Sequence, residues 1–419
     1  MSETWDVIVV GAGAAGLLAA ARAAELGRKT LLLEKNRKAG VKILMSGGTR
    51  CNITHDCDAH GIVQAFGRNG PFLHSALASL SPQNVVEIFN HEGVATKVEP
   101  GGKIFPASDR ALDVRDALVR RLHRSGARLS LGEPVVDAKR SGSSFEVTTP
   151  TRSLQTEKLL ITTGGLSYPG CGTTGDGYGW ATWFGHSVVS PRPALTPLKT
   201  DEKWVHELSG LTLPDVRISI SAGAGEGVKK PKALDESRGG FLFTHWGLSG
   251  PAPLNVSRAV TGHADPKILT AVFDFLPDDS AHVLDGRLRN RCRNHGKRRL
   301  ASLLEELPNR LAETLPIRAG LDADRNLAEL KNEELGRVIA AVKGTRIPLA
   351  GTLGFEKAEV TAGGVELAEI DSRTMQSKRV KNLYFAGEIL DLDGRIGGYN
   401  FQSAFSTGWL AGTRLSTAE

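Results

Sequence analysis

The sequence predicts an α/β protein in which a split Rossmann-type dinucleotide-binding domain carries an inserted antiparallel β domain and a helical subdomain. Three observations predict it. A strand, a glycine turn, a helix and a second strand open the chain. Short apolar strands ending in glycine recur at residues 159–165 and 382–388. The stretch between them reads first with period two and then with helical leucine spacing. Strand elements for one site thus come from both parts of the chain, so the middle is expected to be an insertion. The cofactor domain is expected over residues 1–190 and 346–419, a β-barrel-like domain over 191–280 and the helical subdomain over 281–345.

In the opening unit, DVIVV (Asp6 to Val10) is rich in β-branched residues, as a strand buried on both faces of a parallel sheet requires. GAGAAG follows directly, and an alanine- and leucine-rich helix former then runs to Leu26. Gly11 permits the tight turn, Gly13 lets backbone approach a pyrophosphate, and Gly16 lets helix and strand pack closely. Ala14 and Ala15 open the helix, whose free N–H groups and positive dipole end suit phosphate. KTLLL closes on Glu34, placed to accept hydrogen bonds from an adenosine ribose, and its carboxylate repels a 2′-phosphate. The dinucleotide is therefore FAD or NAD rather than NADP at this site.

The totals set the bounds. A chain of 419 residues exceeds what one hydrophobic core fills. Hydrophobic residues at 40% and charged residues at 23% describe a chain that folds throughout. The 48 glycines show no collagen period and often sit beside apolar runs, where backbone approaches a ligand. No apolar run reaches the roughly 18 residues of a membrane span, and the protein is read as cytoplasmic. Cys51, Cys57, Cys171 and Cys292 lack C-x-x-C spacing, so no metal site and no dithiol redox pair is expected. The net charge of +6 is concentrated in RLRNRCRNHGKRR (Arg287 to Arg299), read as a solvated helix face in preference to an anion-binding patch, and no nucleic-acid partner is expected.

Later segments sharpen the picture. Leu159 to Thr162 is a strand ending in Gly164-Gly165, and with Thr163 it is expected to pass beside the dinucleotide. NLYFAGE (Asn382 to Glu388) is a second such strand, with Gly387, Glu388 and Asp391 at its end. Gly397-Gly398 then allow close approach, and the helix over Phe401 to Leu410 is expected to present the backbone of Asn400 and Phe401 to the negative pyrimidine end of a reduced flavin, with Tyr399 also in the expected cofactor set.

Lys42 with SGGTRCN (Ser46 to Asn52), TTGGLSYPGCGTTGDGYGWA (Thr162 to Ala181), THWGLSGPAPLNVS (Thr244 to Ser257) and the run from Val360 to Gly408 resemble the signature blocks of a bacterial flavoprotein family. That family includes aminoacetone oxidases and a reductase of bile-acid-derived enones. The resemblance implies FAD, with further contacts at Lys42, Ser46, Gly47, Gly48, Arg50, Cys51 and Asn52. Lys35 and Val135 complete the expected cofactor set.

For the chemistry, Tyr168, His245, Arg50 and Tyr399 are the candidate proton donors or substrate anchors, beside Cys171. Arg50 either braces its loop or faces a phosphate, and His245 is read first as a structural histidine. The expected activity is reduction of a small conjugated carbonyl compound, with NAD(P)H as a transient electron donor because no second βαβ unit is evident. An amine oxidase and a flavoprotein acting on nucleic acid are the alternatives.

Overall fold

The computed structural model describes residues 3–222 and 233–417. The chain divides into two compact units, one formed by residues up to Pro193 with those from Ala358 onward, the other by Ala194–Lys357.

The first unit is built on a seven-stranded sheet. Its parallel core runs Arg128–Leu131, Thr30–Glu34, Glu3–Val10, Ser153–Ile161. The far side of Ser153–Ile161 is shared. Its first half takes Ser144–Thr148 antiparallel, and its last three residues take Leu383–Phe385 in parallel. Val7 to Val10, Leu31 to Leu33, Leu159 to Ile161 and Leu383 to Phe385 are all buried, which explains why these strands read as unbroken apolar runs. Register then decides where the chemistry lies. Val10 stands beside Leu33 and Ile161, and Ile161 beside Phe385, so three glycine turns leave the same sheet edge.

Two helices from opposite parts of the chain cover this sheet side by side. Ala14–Glu25 and Tyr399–Leu415 touch through bare backbone: a Cβ on Gly408 would lie 2.5 Å from the Ala15 carbonyl oxygen, and one on Gly412 2.5 Å from that of Ala19. Arg22 adds a hydrogen bond to Thr413 (3.1 Å) and stacks on Trp409 (4.4 Å). The far end of the second helix is held by the buried Lys158, whose ammonium donates to the carbonyls of Leu415 (3.0 Å) and Thr417 (2.9 Å), where the negative dipole end favours a cation.

The second unit carries a seven-stranded antiparallel sheet in the order Thr345–Pro348, Leu269–Asp274, Thr212–Ala222, Asp235–Thr244, Gly247–Ser249, Leu198–Lys199, Gly351–Thr352. Val216, Ile218 and Ile220 point into the core together, as do Phe241 and Phe243, so the alternation in the sequence has its expected cause. The first and last strands in this order are one continuous segment that bends at Leu349 and Ala350 and bonds to both edges.

Two boundaries differ from the sequence reading. Residues 346–357 complete this sheet instead of joining the cofactor domain, because Thr345–Pro348 pairs with Leu269–Asp274 immediately after a helix and leaves no linker to mark the change. The helices Ala281–Asn294, Asn309–Arg318 and Asn332–Gly344 bury Leu284, Leu311 and Val338 in the same core as the strands, so they are not a separate subdomain.

Two predictions follow from the packing. Gly408→Val forces a side chain against the Ala15 backbone and should lower stability by about 3 kcal/mol, read as a shifted urea midpoint. The second concerns His186, buried with Nε2 on Ser377 (2.8 Å) and Nδ1 on Glu369 (3.1 Å). Burial holds its pKa below the ordinary 6.5, so the unfolded chain binds the proton more readily and stability falls as pH drops below that value. Glu369, pulled down to about 2 chiefly by Arg379, adds a second loss as pH falls from 4.5 toward 2. His186→Gln should remove the upper loss from a plot of urea midpoint against pH.

Candidate active site

The glycine turns gather at the carboxyl ends of these strands, the usual ligand position in such folds. Gly11, with φ of +102°, leaves no room for a side chain: a Cβ there would lie 2.7 Å from the Thr162 carbonyl oxygen. Gly16 is tighter still, 1.9 Å from the Gly11 carbonyl oxygen. Gly13 differs, because nothing lies within 4 Å of its would-be Cβ. Two of the three glycines are thus demanded by the protein itself, whereas the third faces open space. Gly13 caps the helix without a side-chain bond and no acid lies in the first turn. The first intrahelical donor is Leu17, so the N–H groups of Ala14, Ala15 and Gly16 carry no acceptor among the described residues.

Glu34 is buried beside this turn. One carboxylate oxygen accepts from the Ala12 amide (2.7 Å) and the other from that of Asn36 (2.8 Å). It therefore braces the glycine turn, a role the sequence did not announce, and still has lone pairs for a ribose. Its neighbour Lys35 is tied to Asp176 (2.6 Å) and Thr174, and that pairing occupies its ammonium. Val135 is half-buried just after Gly132 and Glu133, whose amides bond to the carbonyls of Asn36 and Glu34.

A second group gathers around Glu388. Lys42 reaches Glu388 (2.6 Å) and Ser167 (2.6 Å), Ser167 donates to Glu388 (2.7 Å), and the Thr361 amide donates to Glu388 (2.9 Å). Gly165 is pressed on Thr361, where a Cβ would fall 2.4 Å from its hydroxyl. Gly164 and Gly387 take left-handed φ of +73° and +79°. The hydroxyls of Thr163 and Tyr178 are buried without a hydrogen-bond partner. Burial and the carboxylates of Glu388 and Asp391 push the Tyr178 phenol up. Asp391 is buried and accepts from Asn69 (3.2 Å).

The third group surrounds the start of Tyr399–Leu415. Gly397 and Gly398 have φ of +140° and +92°, no side chain caps the helix, and no acid lies in its first turn. Gln402 makes the first intrahelical bond, leaving the N–H groups of Tyr399, Asn400 and Phe401 without an acceptor among the described residues. The Asn52 side chain accepts from the Gly398 amide (3.0 Å) and donates to Thr54 (2.9 Å) and Ile104 (3.1 Å). His55 stacks on Tyr399 at 4.6 Å between centroids and donates through Nδ1 to the Gly397 carbonyl (2.9 Å). Ser46 is turned back onto the Ile43 carbonyl (2.8 Å). Gly47, Gly48, Thr49 and Cys51 all hold left-handed backbone, a local strain that clusters at sites.

The candidate catalytic residues part company here. Arg50 bonds to Glu99 (2.7 Å) and Asp109 (3.3 Å) and lies over Phe105 (4.1 Å), so its guanidinium braces the loop. Cys51 is fully buried, and burial pushes its thiol up to about 12, which leaves no thiolate for chemistry. Cys171 is likewise buried with its thiol pushed up. Tyr168 holds a left-handed turn (φ +58°), its carbonyl accepting from Cys171 (2.8 Å) and Thr173 (3.1 Å). His245 belongs to the other unit, in the turn after Asp235–Thr244, its ring on Trp246. Tyr399 is half-buried, burial raises its phenol, and its hydroxyl has no partner among the described residues. Sequence reading missed Ser167, Thr361 and His55. Ser167 lay inside a quoted motif, whereas His55 had only its place three residues after Asn52 as a signal.

The basic run offers little free charge. Arg287 and Arg291 pair with Glu306, Arg289 with Asp285 and Arg299 with Asp324. Among the described residues no group of His, Cys, Asp or Glu could hold a metal ion, and no helix is long and apolar enough to cross a membrane.

The model of the HI0933-like protein Rossmann domain matches residues 5–414. The chain belongs to the HI0933-like family. This HI0933-like protein is an FAD-dependent oxidoreductase, and the open Gly13 face, the uncapped helix starts and the unpartnered Thr163 hydroxyl fit that cofactor. It is 34% identical over 420 residues to the ribosomal RNA dihydrouridine synthase of Escherichia coli, covering 100% of this chain and 99% of that one. It is 31% identical to the 3-dehydro-bile acid delta(4,6)-reductase of Clostridium scindens, covering 96% of this chain and 97% of that one. Among solved structures, the 3-ketosteroid delta1-dehydrogenase of Sterolibacterium denitrificans superposes with a TM-score of 0.52 at 15% identity, over 99% of this chain and 100% of the other, a likeness of fold.

The unequal glycines make a paired prediction. Gly13→Val should leave the apoprotein as stable as the parent but abolish flavin retention and the thermal stabilisation by added FAD. Gly16→Ala should destabilise the apoprotein itself. A Gly13→Val protein that purifies yellow would remove Gly13 from the cofactor site.

Proposed function

We propose that this flavoprotein saturates a carbon–carbon double bond conjugated to a carbonyl, and that its substrate is a uracil base of ribosomal RNA. The observation that carries the proposal is the end-to-end likeness to two enzymes whose names describe one chemistry. Dihydrouridine is uridine with its C5–C6 double bond, conjugated to the C4 carbonyl, saturated. A delta(4,6)-reductase of a 3-dehydro bile acid works on double bonds conjugated to a ketone. Both reactions need a hydride at a carbon made electrophilic through conjugation to the carbonyl, the β carbon in uracil, and a proton at a neighbouring carbon.

This order reverses the sequence expectation, which placed a small enone first and no nucleic acid among the partners. Likeness at 34% and 32% to two ribosomal RNA enzymes, each over at least 99% of both chains, supports RNA. A sequence pI of 9.1 suits a polyanionic substrate. The bile-acid relative favours the second reading, a small conjugated ketone.

Bound FAD supplies hydride transfer, with NAD(P)H proposed as the transient donor of electrons. The chain supplies the rest. The N–H groups of Ala14 to Gly16 would hold the pyrophosphate and Glu34 the ribose. The Lys42–Ser167–Glu388 cluster, with Thr163 beside it, would position the chain between them. The N–H groups of Tyr399 to Phe401 would face the flavin's electron-rich pyrimidine edge. Tyr399 would deliver the proton, because burial keeps its phenol protonated and its hydroxyl is uncommitted.

Nucleoside analysis of ribosomal RNA treated with purified protein, FAD and NADPH should show a uridine that has gained two hydrogen atoms. Absence of dihydrouridine, with rapid consumption of a conjugated steroid ketone, would overturn the RNA reading. Tyr399→Phe should slow product formation about a hundredfold. Rapid mixing under nitrogen separates the classes: a nicotinamide should bleach the flavin, whereas bleaching by a simple amine, with peroxide on admitting air, would mean an oxidase.

A further inference from the structure

Resting on the RNA reading above, we propose that Arg395 is a phosphate anchor for the nucleotide presented to the start of the C-terminal helix. Arg395 is exposed and has no carboxylate partner among the described residues. By contrast, Arg50, which lies in the same unit, is neutralised by Glu99 and Asp109.

Its backbone is fixed. The Arg395 amide donates to the Ala65 carbonyl (3.2 Å). The side chain of Asn400 accepts from the Gly394 amide (2.8 Å) and donates back to the Gly394 carbonyl (3.0 Å). Gly394 itself lies against the Phe66 ring, where a Cβ would be 2.8 Å away. A long side chain leaving a clamped loop loses less freedom on binding than one leaving a loose loop.

The surroundings match one nucleotide. Two residues on, the Gly397 carbonyl holds His55, and His55 stacks on Tyr399. Burial raises the Tyr399 phenol, and the positive charge of Arg395, four residues before it, opposes that rise. A cation for phosphate beside aromatic rings is how unpaired RNA is commonly held, with the base stacked and the backbone on an arginine. A small conjugated ketone carries no phosphate and would have no use for this residue.

The test uses FAD-loaded protein and a fluorescein-labelled single-stranded oligouridylate, with affinity read by anisotropy from about 50 to 200 mM salt. Arg395→Gln should weaken binding severalfold and flatten the slope of log K against log salt by about 0.7, the loss of one phosphate contact. Arg395→Lys should keep the parent slope. Arg373→Gln, a charge loss at an arginine 79% exposed in another loop, should match the parent in both. An Arg395→Gln slope equal to the parent's overturns the anchor, as does failure of the parent protein to bind the oligomer. Dihydrouridine formation in ribosomal RNA would stand as a separate result in either case.

Discussion

The structure of the first unit depends on backbone-to-backbone contact between its first and last helices. Gly408 and Gly412 let Tyr399–Leu415 lie directly on the carbonyls of Ala15 and Ala19. Gly408 is nine residues beyond Tyr399, so at about 1.5 Å per residue the two helix starts are offset by roughly 13 Å along the later helix axis. That offset suits an extended dinucleotide, with its pyrophosphate at one start and its ring system at the other. A larger residue at either glycine would push the helices apart, and both sets of free N–H groups would lose their common target.

The same economy explains the rest of the site. Three parallel strands end in register, and each turn that leaves them is shaped by glycine or by a hydroxyl turned back on backbone, as Thr162 is on the Val10 and Gly11 carbonyls. Buried and half-buried polar groups there serve each other first: Glu34 holds Ala12 and Asn36, and Glu388 holds Lys42, Ser167 and Thr361. Such networks are rigid because every partner lost leaves a costly unpaired group.

How much of this was legible follows from range. The glycine turns could be read directly, since Gly11 and Gly398 hold left-handed backbone and Gly16 meets the Gly11 carbonyl within its own turn. The split domain was also legible, because two separate strand-glycine units cannot both close one site unless the middle is inserted. The Lys42–Ser167–Glu388 cluster and the stack of His55 on Tyr399 were not, because they join segments more than a hundred residues apart and no pattern in either segment names the other. Arg50 shows the converse. Its motif singled it out, but the acids that occupy it, Glu99 at the end of the strand Thr96–Glu99 and Asp109 in the turn before the helix Ala111–Arg124, carry no motif of their own. The boundary near residue 346 slipped for a plainer reason: a four-residue strand directly after a helix carries too little alternation to be seen.

The place of Leu383–Phe385 on the shared side of Ser153–Ile161 has a consequence for biosynthesis. A chain emerging from the ribosome forms its domains in order of appearance, yet the sheet that carries this site lacks one strand until residues beyond 380 are available. The antiparallel unit, continuous from Ala194 to Lys357, has all its strands first. Cofactor capture must therefore be among the last events of maturation, and until then the apolar edge at Leu159–Ile161 stands open to mispairing with other strands.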